Sequence, residues 1–196
     1  GRYCDITVFS FHPVKIITTA EGGMCLTNNA ELANKLGLFR SHGITRDPAQ
    51  MTHAADGPWY YQQIELGYNY RMTELQAALG VSQMTRLDKY VARRNQLARR
   101  YDALLATLPV TTPWQHADSY SGLHLYPIRL QLGNIKKSQL QVFESLHEQG
   151  IGVNLHYIPV HTQPYYQRMG FQSGDFPRAQ DYYREAISLP MFQTLT

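Results

Sequence analysis

Asp5-Ile6-Thr7-Val8-Phe9-Ser10-Phe11-His12-Pro13-Val14-Lys15, followed by Glu21-Gly22-Gly23-Met24-Cys25-Leu26-Thr27, decides how this chain is read. The first part is rich in β-branched and aromatic residues and predicts a strand, which Pro13 ends because it cannot donate to a ladder. Gly22-Gly23 predicts a turn, and Met24-Cys25-Leu26-Thr27 a second short strand. Lys15 falls in the loop between them. The chain has five lysines, and Lys35, Lys89, Lys136 and Lys137 lie on predicted helices or helix entrances among polar residues, where solvation accounts for them. Lys15 instead neighbours Pro13, Val14, Ile16 and Ile17. An ammonium in such company is either exposed at a loop tip or held in a dry site with a specific partner. Desolvation disfavours the charged form of a lysine, and a carbonyl-reactive lysine needs a neutral amine. These residues alone leave both readings open.

Outward from the lysine, Asn29 predicts the cap of a helix running to about His42, with Leu32, Ala33, Leu36 and Phe39 on one face and Gly43 as its left-handed stop. Residues 44–70 read as irregular, with Pro48, Gly57, Pro58 and Gly67 as breakers and Trp59, Tyr60, Tyr61, Tyr68 and Tyr70 among them. A loop of that length is usually functional or rests on a partner. Thr73-Glu74-Leu75-Gln76 is a capping-box pattern. Beyond it Met84, Leu87, Val91, Ala98, Tyr101, Leu105 and Leu108 recur at three- and four-residue steps, broken once around Arg94. One long amphipathic helix is therefore expected up to Pro109, a spine between two domains. An α+β alternation follows: a strand over 123–132, a helix opened by Ser138-Gln139-Leu140-Gln141 and closed at Gly150, and a strand over 152–157. A Pro- and Tyr-rich loop comes next, then a helix capped by Asp175 to about Ile187, and a short extended piece over 187–190.

Composition excludes several classes. Of the 196 residues 43% are hydrophobic and 17% charged, ordinary for a protein with a packed core. No apolar run approaches the roughly 20 residues of a membrane span, and the first ten residues have no basic stretch followed by an apolar block, so no signal peptide is expected. The net charge of +3 is too small to argue for nucleic acid. The basic cluster Arg86, Lys89, Arg93, Arg94, Arg99 and Arg100 reads as a solvated helix face, since interleaved aromatics and an RNA-binding signature are missing. Cys4 and Cys25 sit in apolar strand-like stretches and read as buried reduced thiols, without a CxxC or Cys/His metal spacing. A reducing cytoplasm fits that usage.

Ser10-Phe11-His12-Pro13-Val14-Lys15 with Glu21-Gly22-Gly23-Met24 resembles the DegT/DnrJ/EryC1 family of sugar aminotransferases at the segment that carries their pyridoxal 5'-phosphate (PLP) lysine. Gly67-Tyr68-Asn69-Tyr70-Arg71-Met72 resembles that family's next signature, in matching order and spacing. The resemblance extends over essentially all of the chain. Arg40-Ser41-His42-Gly43-Ile44-Thr45-Arg46-Asp47 and Val153-Asn154-Leu155-His156-Tyr157-Ile158-Pro159-Val160-His161 look like the pseudaminic-acid branch, whose members aminate C4 of a UDP-linked 4-keto-6-deoxy-N-acetyl hexosamine with glutamate as donor. Ala20 departs from the pattern, since many relatives carry Gly before the Glu-Gly-Gly turn.

The resemblance implies an α/β, type I (aspartate aminotransferase-like) PLP-dependent transferase fold, here incomplete. Residues 1–85 would be the C-terminal part of the large PLP-binding domain and residues 86–196 the small α+β domain. Lys15 would be the Schiff-base lysine and the base that moves the proton between substrate carbon and cofactor. Ser10 would bind the PLP phosphate, as would Asn69 from the neighbouring subunit of a homodimer with shared active sites. Arg71 is a candidate for substrate anions, and His156, Tyr157 and His161 for the nucleotide sugar. Neither nucleic acid, membrane nor metal is expected as a partner. His156 and His161, five apart around Pro159, share neither a helix face nor a usual zinc spacing. Ser10 as a plain strand end and Asn69 as a turn residue remain the alternatives.

A PLP enzyme also needs a carboxylate against the pyridine nitrogen and a backbone site for the phosphate. In the family these precede the lysine segment. Only Asp5 is acidic among the fourteen residues before Lys15, so the chain is expected to be a piece of a longer protein, stopping also where relatives begin a last helix. The reaction of the whole would be ping-pong, glutamate leaving its amino group on the cofactor and the keto sugar then taking it. The family's sugar dehydratases carry histidine at the lysine position, so Lys15 argues against that activity. A non-catalytic module binding a nucleotide sugar is the rival from another class.

Overall fold

The strand expected at the start of the chain forms over Thr7–Ser10 (β1) and pairs antiparallel with Gly23–Leu26 (β2), Thr7 opposite Leu26 and Ser10 opposite Gly23. It does so in a computed structural model that describes residues 3–196. These two strands are a sheet by themselves, and every residue of β2 is exposed. Cys25, in β2, and Cys4, just before β1, are therefore both exposed, which corrects the expectation of buried thiols. An alternating apolar strand buries a face only where another element covers it. The chain divides into two units, Gly1–Arg86 and Leu87–Thr196.

In the first unit Asn29 caps α1 (Ala30–Arg40), its side chain accepting from the N–H groups of Glu31 and Leu32. The chain reverses just beyond, where His42 and Gly43 take positive φ angles of 64° and 69°. Ile44–Thr45 (β3) then pairs antiparallel with Gln62–Gln63 (β4). The segment expected to be irregular throughout is thus clipped at its base by a two-residue ladder, which a polar Gln-Gln pair does not announce. Its far end is also tied: the Tyr68 N–H donates to the Phe39 carbonyl at 2.7 Å, and the His42 N–H to the Tyr68 carbonyl at 2.7 Å.

The capping box forms as the sequence predicts and opens α2 (Glu74–Met84), with Thr73 and Gln76 satisfying each other's backbone donors. The single long helix does not form. It breaks at Thr85-Arg86, and α3 (Leu87–Leu105) starts afresh in the second unit. The Thr85 hydroxyl donates to the Ser82 carbonyl at 2.8 Å, and the Arg86 N–H reaches back only three residues, to Gln83. A hydroxyl that takes a carbonyl this way competes with the helical ladder.

The second unit is built on a three-stranded antiparallel sheet in the order β5 (Val110–Thr111), β6 (Tyr126–Leu130), β7 (Ala186–Leu189). Ile187 is 0% exposed, at the centre of a core that includes Leu97, Tyr126, Ile128, Leu130 and Val153. A second capping box, Ser138 with Gln141, opens α4 (Gln139–Glu148). The strand expected over 152–157 reduces to one bridge, Asn154 to Ser188. After the short α5 (Pro164–Gln167), α6 (Pro177–Glu185) is capped by Phe176 without a side-chain bond. Asp175 is not its cap: the carboxylate accepts from the Gln172 N–H in the preceding turn. Pro177 at the first helical position sets where the helix starts. Tyr126 donates its hydroxyl to the Asp102 carboxylate, and burial, then that bond, hold its phenol far above the ordinary value.

Arg94 is not on a solvated face. It is 4% exposed, and its Nη1 donates to the carbonyls of Leu123 at 3.1 Å, His124 at 3.2 Å and Met191 at 2.8 Å. Burial lowers its pKa, yet an arginine keeps its proton, so one cation on α3 holds the chain before β6 and the chain after β7 through carbonyl dipoles. Arg94→Leu leaves these carbonyls without their donor. It should lower stability by about 3 kcal/mol, since each buried unsatisfied group costs about 1–3 kcal/mol, as read by denaturant unfolding.

Ala20 sits at φ 66°, a conformation that costs an L-residue about 1–2 kcal/mol. Ala20→Gly should therefore raise stability, by about 0.5–1 kcal/mol after the larger entropy of glycine in the unfolded chain is counted. A decrease in the same unfolding measurement would contradict the strain.

Candidate active site

β1 and β2 present the loop 11–22 between them. The ladder continues one step past β1, with the Phe11 N–H donating to the Gly22 carbonyl at 2.9 Å. The Lys15 N–H donates to the His12 carbonyl at 2.9 Å, forming a turn. Lys15 is half-buried beside Ile16 and Ile17. Among the described residues its Nζ has no hydrogen-bond or ion-pair partner. The amine is thus not consumed by a salt bridge, which leaves it available to a carbonyl. Ser10 ends β1 with its side chain exposed and its Oγ 3.5 Å from the His12 N–H. The loop's outer edges carry His12 and Glu21, with His12 Nε2 3.8 Å from Glu21 Oε1. Ser10 and Lys15 therefore belong to one hairpin, a hydroxyl at its base and an uncommitted amine in its loop.

Asn69 and Arg71 lie on a different segment of the same unit. Backbone bonds hold it extended against the end of α1, with Asn69 bridged to Ser41 and the Tyr70 N–H donating to the Arg40 carbonyl at 3.0 Å. The Tyr68 and Tyr70 rings stack with centroids 4.8 Å apart and planes 13° apart. In an extended chain the side chain between two stacked neighbours faces the other way, so Asn69 is presented away from the tyrosine pair. Asn69 and Arg71 are both exposed. Met72 links this segment to the hairpin: its Cε would lie 2.9 Å from a Cβ placed on Gly22.

The three candidates of the second unit differ in placement. The His156 Nδ1 is hydrogen-bonded to the buried Ser188 hydroxyl at 2.8 Å, and its ring meets the edge of Tyr157 at 4.6 Å. Tyr157 is 68% exposed. His161 is only 7% exposed, with its Nε2 3.4 Å from the Ser173 carbonyl and its ring 4.8 Å from Phe176. Its imidazole is engaged in fastening the 160–176 loop, while Tyr157 offers an exposed ring and hydroxyl. A hollow of about 760 Å³ in this unit, lined by Leu97, Leu104, Val142, Leu146 and Leu195 among others, is apolar and contains none of the three.

Sequence reading did not single out His53, Tyr60 and Gln62. The Tyr60 hydroxyl lies 2.6 Å from His53 Nε2, and the Gln62 side chain accepts from the Thr52 N–H at 2.8 Å. These bonds brace the aromatic loop, and only the spacing of polar residues among aromatics hints at them. Among the described residues no group of three or more His, Cys, Asp or Glu could hold a metal ion, and no helix is long and apolar enough to cross a membrane.

The whole chain, residues 1–196, matches the DegT/DnrJ/EryC1/StrS aminotransferase family. Over 196 residues it is 35% identical to the UDP-4-amino-4,6-dideoxy-N-acetyl-beta-L-altrosamine transaminase of Campylobacter jejuni, covering 100% of this chain and 49% of that protein. Helicobacter pylori PseC, an aminotransferase involved in the biosynthesis of pseudoaminic acid, superposes with a TM-score of 0.87 at 34% identity, over 99% of this chain and 50% of its own. Spr1654 of Streptococcus pneumoniae in its PLP-form gives 0.85 at 28% identity, over 98% and 48%. The chain spans about half the length of the relatives it matches. The fold is accordingly that of PLP-dependent aminotransferases, present here in part. With a free amine in the hairpin loop, a hydroxyl at its base and the likeness running from the first residue to the last, this chain belongs to the DegT/DnrJ/EryC1/StrS aminotransferase family.

Proposed function

We propose that the protein, at its natural length, is a PLP-dependent sugar aminotransferase that moves an amino group from glutamate to C4 of a UDP-linked 4-keto-6-deoxy-N-acetyl hexosamine. The observation that carries this is the half-buried Lys15, whose amine has no partner among the described residues, in a loop closed by the bonds of Thr18 and Thr19 to the Phe11 carbonyl. The residues present fit the cofactor: an amine for its aldehyde and, on the same hairpin, the exposed Ser10 hydroxyl for its phosphate. When bound, PLP supplies an electron sink that lets a carbon next to nitrogen lose a proton. Lys15 would hold the cofactor through its aldehyde, and its amine would serve as the base that takes that proton and returns it. Ser10 donates its hydroxyl to the phosphate, and Asn69 donates its amide to the phosphate held by the neighbouring subunit. Arg71 offers a guanidinium to a substrate anion. Residues 1–86 are then the end of the large cofactor domain and residues 87–196 the small domain. Tyr157, with His156 behind it, contacts the nucleotide sugar, and His161 serves that contact by holding its loop. The UDP-linked substrate is favoured by the 35% identity to the Campylobacter jejuni transaminase.

Borohydride reduction of the cofactor-loaded protein should fix PLP to the peptide containing Lys15. Label on Lys35 or Lys89 instead would remove the assignment, and absorbance of free PLP alone would favour a binding module.

Subunit sharing has a sharper test. Lys15→Ala should be inactive, and Asn69→Asp badly impaired, because a carboxylate would face the phosphate dianion. In a mixed dimer of the two, one site collects both lesions and the other neither. Remixing should restore up to about a quarter of wild-type activity per site for random pairing in a two-fold dimer. No recovery despite proven subunit exchange would place both residues in one site from one chain.

A further inference from the structure

The Lys15 loop is held unevenly. Before the lysine its backbone is held by the Phe11–Gly22 pairing, a long contact from the His12 N–H to Ser10 Oγ and the turn from the Lys15 N–H to the His12 carbonyl, all within the hairpin. After it, Thr18 and Thr19 close the loop on itself: the Thr18 hydroxyl donates to the Phe11 carbonyl at 2.8 Å, the Thr19 N–H to the same carbonyl at 3.0 Å, and the Thr19 hydroxyl to the Glu21 carbonyl at 2.7 Å. Thr19 is 2% exposed and packs on α2. A Cβ on Gly80 would lie 2.8 Å from its methyl, and one on Gly22 would lie 2.3 Å from its hydroxyl. One hydrogen bond then joins the loop to the rest of the unit. The Thr18 N–H donates to Gln83 Oε1 at 3.2 Å, across 65 residues of sequence. Among the described residues, no other side chain outside the hairpin hydrogen-bonds residues 11–22.

We infer that Gln83 is a positioning residue for Lys15, an assignment that rests on the role proposed for that lysine. A loop closed only on itself can rock about its two strand ends. The Gln83 amide, anchored in the last turn of α2, stops that motion three residues from the reactive amine. It acts on the aim of Lys15 Nζ, and so on the proton transfers the lysine serves, without touching cofactor or sugar. An acceptor at this position is required, because the Thr18 N–H is part-buried and has no alternative among the described residues.

The test uses the protein at its natural length with Gln83→Leu, which has no acceptor, Gln83→Ser, which is too short to reach, and Gln83→Glu, which keeps one. Amide hydrogen exchange of the peptide spanning Thr18, measured without cofactor, should speed up about tenfold or more in the first two and return toward wild type in the third. With PLP bound, the pH midpoint of the near-visible absorbance band should move by about half a unit or more in Gln83→Leu and Gln83→Ser. In these variants kcat should fall about tenfold or more, while KM for the keto sugar stays within about twofold. If Gln83→Leu does not fold, the contrast of Gln83→Ser with Gln83→Glu decides. Wild-type exchange and an unmoved midpoint in Gln83→Ser would overturn the inference, as would a loss shared equally by Gln83→Glu. If the wild-type protein itself shows no such band and no borohydride label on Lys15, it is the underlying reading of the lysine that fails.

Discussion

The Phe11 carbonyl accepts from both the Thr18 hydroxyl and the Thr19 N–H, and that shared acceptor is what lets a lysine stand uncommitted in the middle of a loop. A lysine tied into a salt bridge is held as the ammonium, without the lone pair that a carbonyl-reactive amine must offer. Order has to come from neighbours. Here two threonines supply it: the Thr18 hydroxyl adds a second bond to the Phe11 carbonyl, and the Thr19 hydroxyl satisfies the Glu21 carbonyl, which an apolar residue of the same β-branched shape would not reach. The Thr19 side chain is the only fully buried one in the loop, so the hairpin is seated on α2 through a residue that is polar toward its own backbone and apolar toward the helix.

The second unit solves a similar problem with the opposite charge economy. Three carbonyls from two distant stretches converge on α3, and a single guanidinium answers all of them. No carboxylate is used, so the cost of burying the Arg94 cation is met by dipoles alone, which shows as its lowered pKa. The loops at the edge of the sheet are fixed by imidazoles: His156 on the Ser188 hydroxyl and His161 near the Ser173 carbonyl. What stays exposed on that stretch is the Tyr157 ring, backed by His156, and an exposed side chain on a braced loop is where recognition is expected.

Neither helix of the first unit buries a residue within the chain, and Leu66, Tyr70, Leu75, Trp59 and Val81 stand exposed. Apolar surface on that scale marks contact with other protein. It agrees with a chain that spans about half the length of its relatives and with the subunit sharing proposed for Asn69. The same exposure explains why both cysteines lie open here although their sequence surroundings are those of buried strands.

Features that close within a few residues were legible from the sequence. The capping boxes Thr73–Gln76 and Ser138–Gln141 and the Asn29 cap are each complete within a single helical turn, and the family pattern around Lys15 is contiguous text. Local rivals could still mislead at that range. Asp175 is a fine cap by type but bonds its own turn because Pro177 starts the helix one residue further on, and the Thr85 hydroxyl ends α2 where the apolar stepping continues. Arg94 reads from the sequence as part of a solvated face that interrupts the apolar stepping, yet it is buried. Whether it turned inward depended on carbonyls 29 and 97 residues away. The Thr18–Gln83 bond spans 65 residues and has no trace in either local stretch. Hydrogen bonds and close packing between residues far apart in sequence arise only when the backbone has folded, so the sequence by itself determined the helix caps and the family pattern around Lys15, and the tertiary structure alone decided what braces the loop that carries it.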